Sequence, residues 1–252
     1  MTGAVLLSTD SLSVRFGGLT AVDDVSLSVA AGSIHGVIGP NGAGKSTFFN
    51  AVSGFVPISS GSVFMAGKEV TRLPPHARLK LGIQRTFQSV QLVKSMTVLE
   101  NVMIGLHPQI ALRPRCPFGR GAAALDVACG VAQELGLEDV LHKEVELLSF
   151  REQRQVEIAR ALVSRPRLLM LDEPAAGLSA REIAAFDDLL ISLKAQTGLT
   201  ILLVEHVMSL VMKVCDLITV LDAGRVIATG SAAEISADEH VIKAYLGDGL
   251  DA

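Results

Sequence analysis

Apolar residues fall into two kinds of run along this chain. Short stretches of β-type composition occupy residues 12–16, 25–29 and 34–38, separated by glycine-containing turns, and together they predict antiparallel strands at the start. A further hairpin-like strand is expected over 62–65, leading into Gly67 and Lys68. Between 97 and 164 the period changes to a helical one: Val98, Val102 and Leu106 repeat at helical spacing, and so do apolar positions across 122–135. The segment 108–121, rich in Pro, Arg and Gly, predicts an exposed loop. After Pro166, strands return over 168–171, 200–204, 217–221 and 226–228. The first two are apolar throughout, which predicts parallel-sheet strands covered on both faces. A helical insertion therefore sits between two halves of one α/β core, with no internal repeat.

Composition limits what this arrangement can be. A chain of 252 residues, 49% hydrophobic and 19% charged, buries a substantial core as one α/β domain or two closely joined subdomains. A net charge of −4 and a pI near 5.9 argue against a nucleic-acid surface spread over the molecule. The most apolar long stretch, 199–221, is broken by Glu205, His206, Lys213 and Asp216 and does not read as a membrane span. Residues 1–10 lack the basic start and apolar core of a signal peptide. Cys116, Cys129 and Cys215 have neither metal-ligand nor disulfide spacing; they read as small buried hydrophobes in a reducing cytoplasm. Mean hydropathy is nevertheless high, at +0.45, and the surplus apolar surface suits cover by partners at a membrane face.

The candidate chemistry begins directly after residues 34–38. Gly39, Pro40, Asn41, Gly42, Ala43, Gly44, Lys45, Ser46 and Thr47 fit the phosphate-binding pattern G-x-x-x-x-G-K-[ST] between a strand and a helix. Glycines let backbone N–H groups close around phosphate oxygens, and the following helix adds its dipole. Lys45 is expected to reach the β- and γ-phosphates of ATP, and Ser46 to offer its hydroxyl to Mg2+. Far downstream, the apolar run 168–171 ends in Asp172 and Glu173. At the carboxyl edge of a parallel sheet, Asp172 can hold Mg2+ through water and Glu173 can orient and deprotonate the attacking water.

With both sites on one chain, the sequence resembles the ATP-binding cassette (ABC) ATPases. Gln88, in Arg85-Thr86-Phe87-Gln88, matches the family's glutamine loop, which senses Mg2+ and the γ-phosphate. Leu148-Ser149 with Gln153-Arg154 matches the flanks of the family signature, so Ser149, Phe150, Arg151, Glu152 and Gln153 would act on a partner's site. Ala176-Gly177-Leu178-Ser179 matches the loop after the acidic pair, and His206 the switch histidine that contacts the γ-phosphate. Taken singly, a glutamine is ordinary surface and a histidine after a strand an ordinary structural group; the weight comes from the order. Phe16 matches the aromatic that stacks on adenine, although a phenylalanine ending a strand is also common core material.

The likeness narrows to the branched-chain amino acid importer ATPases through Phe16-Gly17-Gly18-Leu19, the block Arg85-Thr86-Phe87-Gln88, Glu100-Asn101-Val102, residues 157–162, 173–178 and 241–247. Urea importer ATPases share much of this vocabulary. The resemblance implies an α/β fold: a P-loop, RecA-like parallel sheet core with an N-terminal antiparallel β subdomain (about 9–90 and 165–230), an inserted α-helical subdomain (about 91–164) and a C-terminal helical tail (231–252). It also implies ATP and Mg2+ as cofactors and a place on the cytoplasmic face of the inner membrane. The implied partners are a second, different ATPase subunit, two transmembrane permeases and, indirectly, a periplasmic or surface substrate-binding protein, with no nucleic acid. A soluble cassette ATPase would share every nucleotide motif, and an ATP-binding regulator without turnover is a third class; intact Glu173 and His206 count against the latter.

One place departs from the family. Arg151 stands where the signature normally carries its more telling glycine. Ser149-x-x-Glu152 still predicts a capping box for the helix running through residues 159–162. A Cβ and a long side chain at 151 predict an impaired partner site, against the competing reading that the Arg151 guanidinium itself supplies a phosphate contact.

Overall fold

The structure, a computed structural model, describes residues 4–106 and 120–246. The chain opens with β1 (Val5–Phe16), β2 (Leu19–Ala30), β3 (Ile34–Ile38), α1 (Lys45–Ser53), β4 (Ser60–Met65) and β5 (Lys68–Glu69). Then come α2 (Pro75–Lys80), β6 (Ile83–Arg85) and the helices α3 (Val98–Ile104), α4 (Arg120–Glu134) and α5 (Phe150–Leu162). The chain continues with β7 (Leu168–Asp172), α6 (Ala180–Thr197), β8 (Thr200–Val204), α7 (Met208–Val214), β9 (Leu217–Asp222), β10 (Arg225–Gly230), α8 (Ala232–Ala237) and α9 (Glu239–Leu246).

Two sheets organise these elements. One has the order β2-β1-β4-β5 and is antiparallel throughout. The other runs β10-β9-β3-β8-β7-β6, parallel except where β10 closes its edge on β9. Residues 34–38 thus correct the expectation of three antiparallel strands: β3 is a central parallel strand, buried at all of its residues. Its burial at every residue, with only His35 polar, needs cover on both faces, which a half-exposed antiparallel strand does not give. Strands β7 and β8 are likewise buried throughout, as their sequence predicts.

The side chains of these strands alternate between two cores. Leu169, Leu171, Ile201 and Leu203 face a cluster shared with α3 to α6, while Leu168, Met170, Leu202 and Val204 face one shared with α1 and the antiparallel sheet. A third cluster joins Ile38 of β3 to Val211, Ile235 and Val241 of the last three helices.

The helical stretch leaves the sheet after β6 and returns at β7, and these two strands pair directly, Arg85 opposite Met170. Within it, 136–149 holds only two short 3-10 turns, so the helical expectation for 97–164 is interrupted there. The loop expected over 108–121 lies outside the described residues except for Arg120 and Gly121, which begin α4. Cys129 and Cys215 are half-buried rather than buried, Cys116 lies outside the described residues, and burial raises the Cys215 thiol to about 12. Among the described residues no helix is long and apolar enough to cross a membrane.

Candidate functional site

Between β3 and α1 the chain folds into a loop that only glycine permits at three points. Gly39, Gly42 and Gly44 have φ of 150, 84 and 95°. A Cβ at Gly39 would strike the Leu221 carbonyl and one at Gly44 the Ala21 carbonyl, whereas at Gly42 it would meet nothing, so the loop is open on that side. Gly44 caps α1 without a side chain, which leaves the first-turn amides and the dipole facing outward. Asn41 and Ser46 are exposed, Pro40 and Thr47 half-buried, and Ala43 packs into the core.

Lys45 is only 8% exposed, and its Nζ donates to the carbonyls of Gly39 at 2.7 Å and Pro40 at 2.9 Å. The loop is thus wrapped around its own ammonium group. Burial lowers the Lys45 pKa, and the Glu173 carboxylate opposes that shift. Attraction to Glu173 ties the loop electrically to the end of β7.

Beside the loop, three adjacent parallel strands end in the remaining polar groups. Gln88, beyond β6, donates from Nε2 to Glu173 Oε2 at 2.9 Å. His206, beyond β8, is exposed and holds Nδ1 3.9 Å from the same oxygen. Glu173 itself, immediately after β7, has φ 46°, and its N–H donates to the Val204 carbonyl at 2.9 Å. A non-glycine residue in that region costs about 1–3 kcal/mol, a strain concentrated at sites where a side chain must be aimed. Gln88, Glu173 and His206, far apart in sequence, thus share one oxygen at the carboxyl edge of the sheet, where α/β folds place ligands.

Phe16 ends β1 at 49% exposure, opposite Leu19 across the hairpin turn. Ala21, farther along β2, backs onto Gly44, so this hairpin borders the phosphate loop.

Ser149 caps α5 in the reciprocal box its sequence predicts: its Oγ accepts from Glu152 N at 3.3 Å, and its own N–H donates to Glu152 Oε2 at 2.8 Å. Phe150 and Arg151 are exposed, and Gln153 donates to the Leu148 carbonyl at 3.0 Å. Arg151 lines a cleft of about 570 Å³ between α5 and α6 together with Glu152 and Glu182. Their serine caps, Ser149 and Ser179, are the largest cause of both carboxyls lying below the usual range, with smaller help from Arg151. Among the described residues no hydrogen bond or ion pair joins 149–153 to the phosphate loop of the same chain.

Three further residues shape the site in roles that the sequence motifs do not assign to them. Arg85 donates from Nη2 to Asp172 Oδ2 at 2.6 Å, the partner charge that the buried Asp172 requires. Glu205 is wholly buried and accepts from Ala175 N at 2.7 Å and His206 N at 3.0 Å, fixing the loops after β7 and β8 to each other. Arg154 of α5 donates to the carbonyls of Phe87 and Gln88, each at 3.0 Å, and is itself paired with Glu157 at 2.9 Å. Arg85 and Arg154 fall inside motifs read for other residues; a charge beside an apolar run was the one available hint. Tyr245 of α9 packs near the loop as well: burial raises its phenol pKa, against a smaller pull from the Gly39 amide.

Comparison with known proteins agrees with this geometry. The ABC transporter family matches residues 22–176, and the branched-chain amino acid ATP-binding cassette transporter family matches residues 225–251. The high-affinity branched-chain amino acid transport ATP-binding protein LivG of Escherichia coli (strain K12) is 40% identical over 250 residues, covering 96% of this chain and 98% of that protein. BraF of Pseudomonas aeruginosa, described in the same words, is 39% identical with the same coverage. Among solved structures, a nucleotide-free ATP-binding cassette from an ABC transporter superposes with a TM-score of 0.85 at 32% identity, over 96% of this chain and 99% of that one. CbiO1 of Clostridium perfringens, part of the ABC transporter complex cbiONQ, gives 0.83 at 28% identity, over 98% and 96%. With a glycine-rich loop after β3, a carboxylate-ended strand two places along the same sheet and relatives of this identity over nearly its whole length, the chain belongs to the ABC transporter ATP-binding family.

Proposed function

We propose that this chain is the ATP-binding and ATP-hydrolysing subunit of an importer of branched-chain or related amino acids. It would sit on the cytoplasmic face of the inner membrane with a second ATPase subunit and two permeases, fed by a substrate-binding protein. The observation that carries the ATPase reading is the convergence of Gln88, Glu173 and His206 on one oxygen, beside the loop around Lys45. Full-length similarity to LivG and BraF supports the cargo.

Lys45 and the amides of residues 39–47 would hold the phosphates, and the Phe16 ring would stack on adenine. Ser46, Asp172 and Gln88 offer hard oxygens that suit Mg2+, which keeps several waters and takes few protein ligands. Bound Mg2+ would neutralise charge on the phosphates. Glu173 would take a proton from the attacking water, Gln88 holds that carboxylate by a hydrogen bond, and His206, 3.9 Å away, would contact the γ-phosphate. The helices between 91 and 164 would form the arm contacting the permeases; Arg154 pins the Gln88 loop to that arm. A groove beside the loop, lined by Phe55, His76, Leu79 and Phe87, suits a docked permease helix.

The test is uptake in vesicles carrying the reconstituted complex. Wild type should accumulate leucine, isoleucine or valine, and not urea, on addition of ATP. Glu173→Gln should keep ATP binding yet lose hydrolysis and uptake by about 10²- to 10⁴-fold. Wild-type turnover in that variant would refute the assignment of the base, and urea uptake would refute the cargo.

A further inference from the structure

Arg85 belongs to the Arg85-Thr86-Phe87-Gln88 block, but the role it takes in the site is not one the motif assigns. Its side chain is buried, and its two terminal nitrogens serve three acceptors: Nη2 bonds Asp172 Oδ2 at 2.6 Å, while Nη1 bonds Asn50 Oδ1 at 2.7 Å and Ser53 Oγ at 2.9 Å. The rings of Phe49, Phe55 and Phe87 surround the guanidinium at 5.7, 5.8 and 5.1 Å. A planar fork bonded on two edges and boxed by rings has one orientation, which a lysine could not reproduce.

The three arms lead to three different parts of the site. Asn50 lies four residues after Ser46 on α1, hence on the same helical face. Asp172 ends β7 and has one of its two oxygens bonded to Arg85, with no bond to the other among the described residues. Phe87 precedes Gln88 and stacks edge-on with Phe55 at 5.7 Å, so the root of the Gln88 loop is part of the box. The guanidinium therefore bonds Asp172 directly and touches the two segments that carry Ser46 and Gln88.

We propose that Arg85 is the positioning residue of the metal site, holding Ser46, Asp172 and Gln88 at the separation that Mg2+ with ATP requires without itself touching metal or nucleotide. The proposal rests on the reading of those three residues as the Mg2+ ligands. It differs from a merely structural role in one measurable respect: its loss should be felt by Mg·ATP and not by ATP alone.

The experiment measures equilibrium ATP affinity of the purified chain with excess Mg2+ and, separately, with EDTA. For Arg85→Met, Mg·ATP affinity should fall about 10- to 100-fold, the usual cost of removing a group that orients metal ligands, while affinity in EDTA stays within about twofold. Arg85→Lys, which keeps the charge and a smaller reach, should fall between Met and wild type; if the Met variant does not fold, the Lys variant alone decides by the same ratio. Ser46→Ala, which leaves the Arg85 pair intact, is the reference for the metal reading. A Mg2+-specific loss in Ser46→Ala with none in the Arg85 variants overturns the Arg85 proposal alone. Equal losses with and without Mg2+ in the Arg85 variants overturn it as well, since that is what general damage would produce. No Mg2+-specific loss in Ser46→Ala overturns the metal reading first and takes this proposal with it.

Discussion

His35 shows how a single buried side chain sets a pH limit. It lies on β3 at 2% exposure with Nε2 2.8 Å from Thr219 Oγ1. Burial pushes its pKa down from 6.5 to about 4, outweighing a hydrogen bond to the Ser28 backbone. A folded value below the unfolded one means that the unfolded chain takes up a proton first as pH falls. The stability that His35 contributes is therefore complete above about pH 6.5 and is lost on the way down to about 4, by up to about 3 kcal/mol. We expect His35→Gln to flatten the fall in unfolding free energy between pH 7 and 4.5, measured by denaturant titration. Parallel profiles for the two proteins would assign the acid sensitivity to another group.

At the scale of elements, the start of α5 carries the chain's departure from its family. Arg151 occupies the first turn, where a positive charge opposes the helix dipole, and Glu152 and Glu182 offset that cost from either side of the cleft. A Cβ and a long, exposed side chain at 151 obstruct the close backbone approach that a partner subunit's loop would need. Arg151→Gly in the reconstituted ATPase pair should therefore raise the hydrolysis rate, at a helix cost of about 1 kcal/mol or less; a fall would make Arg151 a phosphate ligand. The capping box here was legible because it is local, four residues long. Strands β3, β7 and β8 were legible because short, mostly apolar runs have few other homes, although the direction of β3 was not. β6 was missed: it is three residues long and two of them are polar. The first half of β1 was missed because Ser11, at φ 48°, sits in a bulge that breaks the alternation. Arg85 escaped notice for a different reason, since its meaning depends on Asp172, 87 residues away.

Across the whole molecule, one sheet edge collects the loops after β3, β6, β7 and β8, and the last helix folds back to meet them. Val241 of α9 shares a core cluster with Ile38, and Tyr245, one turn further along the same face, lies against the Gly39 amide. The last described helix thus brings its tyrosine near the first residue of the glycine-rich loop. The sequence contains no tryptophan and a single tyrosine. Its near-ultraviolet emission consequently comes from one ring, and that ring is already in place as a reporter on the loop. Titrating ATP into the unlabelled protein should change the intensity of this emission along a binding curve, and Tyr245→Phe should leave the protein dark at the same wavelengths. A flat signal on saturation with ATP would mean that the loop closes on phosphate without disturbing the helix behind it.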